Sequence, residues 1–432
     1  MSVIDIIARK RDRQELSAEE ITAVVSGFVR GGVSEAQMAA LLMAIVLNGM
    51  SARECADLTM AMVNSGERLD LSSIPGTKVD KHSTGGVGDK TTLVVAPLVA
   101  ALGVPVAKMS GRALGHTGGT VDKLEVIRGL RTDLTPKRFI AQVSKIGIAI
   151  AAQSAKMAPA DRKIYALRDA TATVESIPLI ASSVMSKKLA AGADAIVLDV
   201  KAGGGAFMAD IERAGELAQL MAGIGAHHGK RVVAVVTRME QPLGRAVGDA
   251  VELAEAAATL AGDGPGDFVE LCEILAGHML VLGGAAADLD DGRARARQGL
   301  GSGIGLAKLK EMVLAQGGDP APLDDPGVLT RGLERTPILL DKPGIVAGID
   351  ARQIGFAIRD LKAAAGERKH SCGVVLHRKV GDTAGDGPAA ALLYPTGARN
   401  TALAAANRIR AAYLVGEAAP PSPPLVGATF AA

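Results

Sequence analysis

Lys81-His82-Ser83-Thr84-Gly85-Gly86-Val87-Gly88-Asp89-Lys90-Thr91-Thr92, an apolar run, then Lys108-Met109-Ser110-Gly111-Arg112-Ala113-Leu114-Gly115-His116-Thr117-Gly118-Gly119-Thr120-Val121-Asp122-Lys123-Leu124-Glu125: the rest of the chain is organised around this stretch. Eight glycines fall within its 45 residues, with hydroxyls and basic side chains between them. Glycine lets a backbone approach a ligand closely or adopt positive φ. Bare N–H groups beside Ser, Thr and Lys make an anion cradle, above all where a loop enters a helix. Both loops precede helix-capable segments (91–102 and 120–128), and two adjacent cradles predict phosphate. Two familiar patterns fail, however. A P-loop requires Gly-Lys-Ser/Thr, but here Asp89 separates Gly88 from Lys90. In the dinucleotide fingerprint a third glycine would stand where Thr91 does.

Working outward, residues 1–66 read as helices. Ser17-x-x-Glu20, Ser34-x-x-Gln37 and Ser51-x-x-Glu54 are capping boxes, and Gly31-Gly32 and Asn48-Gly49 mark breaks. After Ile74-Pro75-Gly76 the pattern changes. Apolar runs at 104–107, 148–151, 195–198 and 232–236 read as buried strands, alternating with helices at 136–146 and 210–227. Residues 160–192 interrupt the alternation with helical sequence alone. The predicted organisation is a small helical domain (1–66 and 160–192) and a larger α/β domain with a mostly parallel sheet (74–159 and 193–330). A strand-rich α+β part (340–416) follows, with strand candidates at 345–346 and 372–376. A Pro-rich tail, 417–432, ends the chain, and its residues 419–424 read as extended or disordered. In a parallel sheet ligands sit at strand C-terminal ends, where both glycine loops fall. A third loop, Lys201-Ala202-Gly203-Gly204-Gly205-Ala206-Phe207, walls the same side.

Composition narrows the function. Hydrophobic residues make up 48% of 432, but aromatics only 2%, without tryptophan, so hydrogen bonds rather than stacking must grip any substrate base. A formal charge of +2 with no basic stretch argues against nucleic acid as a partner. Cys55, Cys272 and Cys372 are widely spaced and odd in number, which predicts a reducing compartment. The seven histidines form no transition-metal spacing. Residues 1–13 lack a signal-peptide core and charges interrupt the long apolar runs, so a cytoplasmic protein without a membrane partner is expected.

From Lys81 to Asp89, and again from Ser110-Gly111-Arg112-Ala113-Leu114 through Thr117-Gly118-Gly119-Thr120-x-Asp122-Lys123-x-Glu125, the chain resembles the thymidine and pyrimidine-nucleoside phosphorylases. The likeness extends from about residue 5 to about residue 325. Ala113 departs from it, since glycine is common there, and residues 363–379 are shorter than the family's usual loop. The resemblance implies phosphorolysis of uridine, thymidine and deoxyuridine to free base and sugar 1-phosphate, in pyrimidine salvage. It implies no cofactor for the chemistry and a homodimer formed through the helical domain. Lys81, Ser83, Thr92, Lys108, Ser110 and Thr120 are the expected phosphate ligands. Arg168, Ser183 and Lys187 match the base-binding positions; the last two lie four apart, on one helix face. His82 is the expected general acid, because an unperturbed imidazole titrates near neutrality. Lys108 stands where thymidine-specific members commonly hold methionine, and a donor there would suit a ribose hydroxyl. A strict thymidine phosphorylase and a related phosphoribosyltransferase remain alternatives.

The resemblance further implies a structural potassium site at Gly88, Lys90, Leu243, Ala246 and Glu255. A lysine side chain cannot ligate a cation, so residue 90 would have to offer its backbone carbonyl.

Overall fold

Ser2, Ser17, Ser34 and Ser51 each accept the N–H of the third residue of a helix, whose Asp, Glu or Gln side chain caps back. These boxes open α1 (Val3–Arg11), α2 (Ala18–Arg30), α3 (Glu35–Asn48) and α4 (Ala52–Val63) in a computed structural model that describes residues 2–113, 115–421 and 423–432. Leu114 of the signature and Ser422 of the tail lie outside the described residues. Glu54 does more than cap. Fully buried, it accepts from the Lys10 ammonium at 2.8 and 2.9 Å and from the backbone N–H groups of Leu16 and Ser51. A buried carboxylate is tolerable only when so completely partnered.

The α/β part follows as β1 (Val79–Ser83), α5 (Thr91–Ala101), β2 (Val106–Ser110), α6 (Thr120–Leu124), α7 (Pro136–Ile146) and β3 (Ile148–Ala152). Next come α8 (Pro159–Ala170), α9 (Ile177–Ala190), β4 (Ala195–Ala202), α10 (Ile211–His227), β5 (Arg231–Arg238), β6 (Ala246–Val247) and α11 (Asp249–Leu260). Helices α12 (Gly266–Leu282), α13 (Leu289–Ser302) and α14 (Ile304–Ala315) complete it. Strands β1, β4 and β5 pair in parallel, and β2 and β3 form a second parallel pair. Val79 N–H donates to Pro105 C=O at 3.1 Å beside that pair. Successive residues of β4 and β5 serve opposite cores: Val197, Val233 and Val235 pack with α5, α11 and α12, while Ile196, Leu198, Val232 and Ala234 pack with α10. Helices α8 and α9 return to the first domain, where Ala160, Ile164 and Leu179 join the core of α2–α4.

The C-terminal part holds β7 (Glu334–Ile338), β8 (Gly344–Ile349), α15 (Ala351–Ala364), β9 (Gly373–Leu376), β10 (Thr383–Ala384), β11 (Ala390–Tyr394), α16 (Arg399–Ala411) and β12 (Tyr413–Gly416). Its two sheets run in the orders β6-β9-β11-β7 and β10-β8-β12, antiparallel throughout. Asp249 at the head of α11 ties this part down, accepting from Lys362 at 2.5 Å and pairing with His370 Nδ1 at 2.7 Å.

Past the prolines the tail carries a strand not expected there. Val426–Ala431 forms β13, antiparallel to β5, and residues 232 and 432 exchange both backbone hydrogen bonds. An unpaired β5 edge would leave a row of backbone donors and acceptors open, and Phe430 adds apolar contact with the α10 core. Helix α6 is also shorter than expected, ending at Leu124 before a turn through Gly129.

Candidate functional site

Between the helical and α/β parts lies a cavity of about 630 Å³. Strand C-terminal ends form one wall: His82 and Ser83 end β1, Ser110 ends β2, and Gln153 follows β3. Thr92 in the first turn of α5 and Thr120 opening α6 complete it. The opposite wall is helical, with Asp161, Tyr165 and Arg168 from α8 and Ser183 and Lys187 from α9. Phe207 closes over the glycines, its ring 3.3 Å from where a Cβ on Gly85 would stand. Nine of the expected binding residues therefore share one cavity: His82, Ser83, Thr92, Lys108, Ser110, Thr120, Arg168, Ser183 and Lys187.

Lys81 does not line that cavity. It points behind the wall, donating to Thr91 Oγ1, with Asp199 Oδ2 at 3.5 Å. Alternation along β1 explains this, since His82 and Lys81 must face opposite ways. Ala113 keeps negative φ, so its departure from glycine carries no strain. At Gly119 the small residue is required, because a Cβ would lie 2.3 Å from Arg112 carbonyl carbon.

On the helical wall, the buried Arg168 guanidinium donates to three backbone carbonyls: Thr173 at 3.2 Å, Leu179 at 3.1 Å and Val174 at 2.6 Å. Guanidinium carries five N–H donors, so two are left for the cavity. Lys187 donates to Asp161 Oδ2 at 2.6 Å and to Ser183 Oγ at 3.0 Å. Asp161 escaped sequence reading because an acidic residue in a helix's first turn is an ordinary dipole partner.

Beneath the strand wall lie two buried aspartates among lysines. Asp80 meets Lys188 at 2.8 Å and Lys108 at 3.5 Å; Asp199 meets Lys201 at 2.8 Å and Lys81 at 3.5 Å. Four lysines against two carboxylates give this floor a positive potential suited to an anion. Burial pushes the Lys108 ammonium down to about 7, despite Asp80 beside it. Burial and then Lys188, Lys108, Lys81 and Lys187 hold His82 well below its ordinary value. In the free cleft His82 is thus neutral, which corrects the premise of an unperturbed imidazole. Burial alone would raise Asp89, but Lys81, Lys201 and Lys123 together keep its carboxyl well below the usual range.

The expected potassium donors do converge, but on the ammonium of Lys90. Its Nζ lies 3.0 Å from Gly88 C=O, 2.7 Å from Leu243 C=O, 3.2 Å from Ala246 C=O and 2.5 Å from Glu255 Oε2. The Lys90 carbonyl, which was to replace the side chain as a ligand, instead accepts the Leu93 N–H at 2.9 Å. The residues present therefore do not fit a potassium ion, and that expectation is corrected. Among the described residues no group of three or more His, Cys, Asp or Glu side chains is arranged to hold a metal.

Comparison with known proteins places this geometry. The family model described as glycosyl transferase family, helical bundle domain, matches residues 4–66, and that for the a/b domain matches residues 75–306. The chain is 51% identical over 398 residues to a pyrimidine-nucleoside phosphorylase of Bacillus subtilis, covering 91% of this chain and 92% of that protein. It is 49% identical over 398 residues to a pyrimidine-nucleoside phosphorylase of Geobacillus stearothermophilus, with the same coverage. In fold alone it is similar to the crystal structure of anthranilate phosphoribosyltransferase from Thermus thermophilus. That match has a TM-score of 0.59 at 24% identity and covers 72% of this chain and 99% of the other. With a cleft of this composition and relatives matching across nine-tenths of its length, the chain belongs to the pyrimidine-nucleoside phosphorylase family of glycosyl transferases.

Proposed function

We propose that the protein catalyses phosphorolysis of pyrimidine nucleosides, uridine and thymidine among them, giving free base and (deoxy)ribose 1-phosphate. The observation that carries this reading is the two-sided cleft, with anion donors on strand ends and base donors on helices. Phosphate bound by Ser83, Thr92, Lys108, Ser110 and Thr120 would face the anomeric carbon while Arg168, Ser183 and Lys187 hold the base. Positioning two reactants in line is a large part of the catalysis needed. As a phosphate oxygen bonds to C1′, the C1′–N1 bond breaks and its electron pair leaves with the pyrimidine. The free donors of Arg168 and the ammonium of Lys187 stabilise the charge this places on the ring oxygens. Bound phosphate dianion offsets the lysine charges around His82, so the imidazole regains a proton that it passes to the departing base. Lys81 acts from behind the wall, through Thr91 and the charge of the floor.

The domains converge on the cleft from opposite sides, which suits closure over bound substrates. Met43, Val46 and Leu47 on α3 are exposed apolar side chains, Leu47 by 74%, and support a homodimer through the helical domain. Cys55, Cys272 and Cys372 are buried free thiols, which supports a reducing, cytoplasmic setting. No helix among the described residues is long and apolar enough to cross a membrane. The deciding assay is release of uracil or thymine from nucleoside with and without inorganic phosphate. Release dependent on phosphate, with sugar 1-phosphate as co-product, is expected. Equal release without phosphate would make the enzyme a hydrolase, and no release from nucleoside but diphosphate- and Mg²⁺-dependent release from the 5′-nucleotide a phosphoribosyltransferase. Lys108 supports the broad specificity over a strict thymidine preference, because a ribose 2′-hydroxyl buried without a partner is strongly disfavoured.

A further inference from the structure

We infer that Lys90 is a built-in monovalent cation: its ammonium locks the 88–92 loop to residues 243–246 and α11, and makes the site independent of potassium. Three carbonyls and one carboxylate converging on a point are a cation's coordination set, oxygen-rich and of low net charge. In this chain the point is filled by Nζ, at 2.5–3.2 Å from all four oxygens. The ring of Phe268 lies 4.9 Å from the same nitrogen and adds a cation–π contact. Lys90 is only 1% exposed, so an ammonium here persists only because its donors are matched.

The surrounding backbone is shaped to this end. Gly88 has φ +76°, and a Cβ on it would stand 2.7 Å from the Leu243 carbonyl oxygen. Gly244 has φ +65°, and its Cβ would stand 2.4 Å from Glu255 Oε2 and 2.8 Å from Lys90 Nζ. Lys379 grips the same loop from the C-terminal part, donating to the carbonyls of Pro242 and Gly244. The span between Lys90 and the cavity is short. Asp89 and Thr92 line it, and Lys90 is the N-cap residue of α5, whose first turn carries Thr92. Lys90 itself does not line the cavity, so it is a positioning residue for the loop. A dissociable ion would make that position depend on ion concentration by mass action, whereas a tethered ammonium does not.

The kinetic arm of the test rests on the phosphate reading of this loop; the melting arm does not. For the wild type, thermal midpoint and phosphate KM are measured in matched potassium, sodium and choline salts and should be the same in all three. Lys90→Thr removes the ammonium and supplies a hydroxyl oxygen. In choline its midpoint should fall and its phosphate KM rise by about tenfold, the loss of one charged hydrogen bond. Potassium should restore both in a saturable way, and should restore neither in Lys90→Met, which offers no oxygen. Potassium activation or stabilisation of the wild type would overturn the inference. So would a Lys90→Thr protein that no monovalent cation rescues, or that fails to fold even in potassium. Rescue of the midpoint without rescue of phosphate KM would uphold Lys90 as the internal cation and count against the phosphate reading of the loop.

Discussion

Arg168 is held in two ways at once, and Arg168→Lys separates them. The guanidinium ties the carbonyls of Thr173, Val174 and Leu179 into a turn, and the side chain, with two further N–H donors, lines the cavity. A lysine has three donors on one nitrogen and cannot span three carbonyls while also facing the cleft. On the structural side, each buried carbonyl left without a partner costs about 1–3 kcal/mol, so the thermal midpoint should drop by several degrees. On the substrate side, one charged hydrogen bond to the base is worth about 1.5–3 kcal/mol, which is roughly ten- to a hundredfold in kcat/KM for nucleoside. Steady-state rates are measured with each substrate varied at saturation of the other, beside a melting curve. Phosphate KM should stay within about threefold of wild type, since the phosphate groups lie on the other wall. A protein whose midpoint falls while nucleoside kcat/KM is unchanged would show that Arg168 only ties the turn. An equal loss against phosphate would refute the division of the cleft.

Asp161→Asn should lower nucleoside kcat/KM by about tenfold and leave phosphate KM unchanged, because Lys187 loses the carboxylate that aims it; a matching phosphate defect would argue against this. Lys108 titrates near 7 in the free protein, and a bound dianion favours its charged form, so phosphate binding at pH 8 should take up a proton. Calorimetry in buffers of different ionisation enthalpy should detect a larger uptake in wild type than in Lys108→Met, where His82 remains to gain a proton; equal uptake in both would remove Lys108 from the phosphate site. The same depressed value makes the Lys108 contribution to stability complete above its ordinary value of 10.5 and progressively lost as pH falls toward 7, a trend that Lys108→Met should flatten. Deleting residues 425–432 should lower the thermal midpoint and increase aggregation, and an unchanged melting curve would show that β13 is dispensable.

Local signals were legible and distant ones were not. The boxes at Ser17, Ser34 and Ser51 could be read because cap and partner lie three residues apart. Apolar runs gave β3, β4 and β5 because both faces of these strands are buried. The pairing of Ser183 with Lys187 followed from helical spacing, although a role for them came only with the family resemblance. Asp80 with Lys188, and Asp161 with Lys187, join elements far apart in sequence, and nothing local marks those acids as buried partners. Lys90 shows the same boundary. Its identity told against a potassium ligand, but only the fold brings Leu243 and Ala246 to its ammonium. Strand β13 was hidden by the prolines before it, which speak for an extended chain and carry no information about the pairing of residues 426–431.

That last strand has a consequence for biosynthesis. In the central sheet β5 (Arg231–Arg238) is synthesised long before its partner β13 (Val426–Ala431). While those residues are still inside the ribosome, the nascent protein carries an open strand edge. Emergence of residues 426–431 closes it, so completion of the sheet waits on the last strand of the fold. Until then the β5 edge is a natural site for a chaperone or for pairing with another nascent chain.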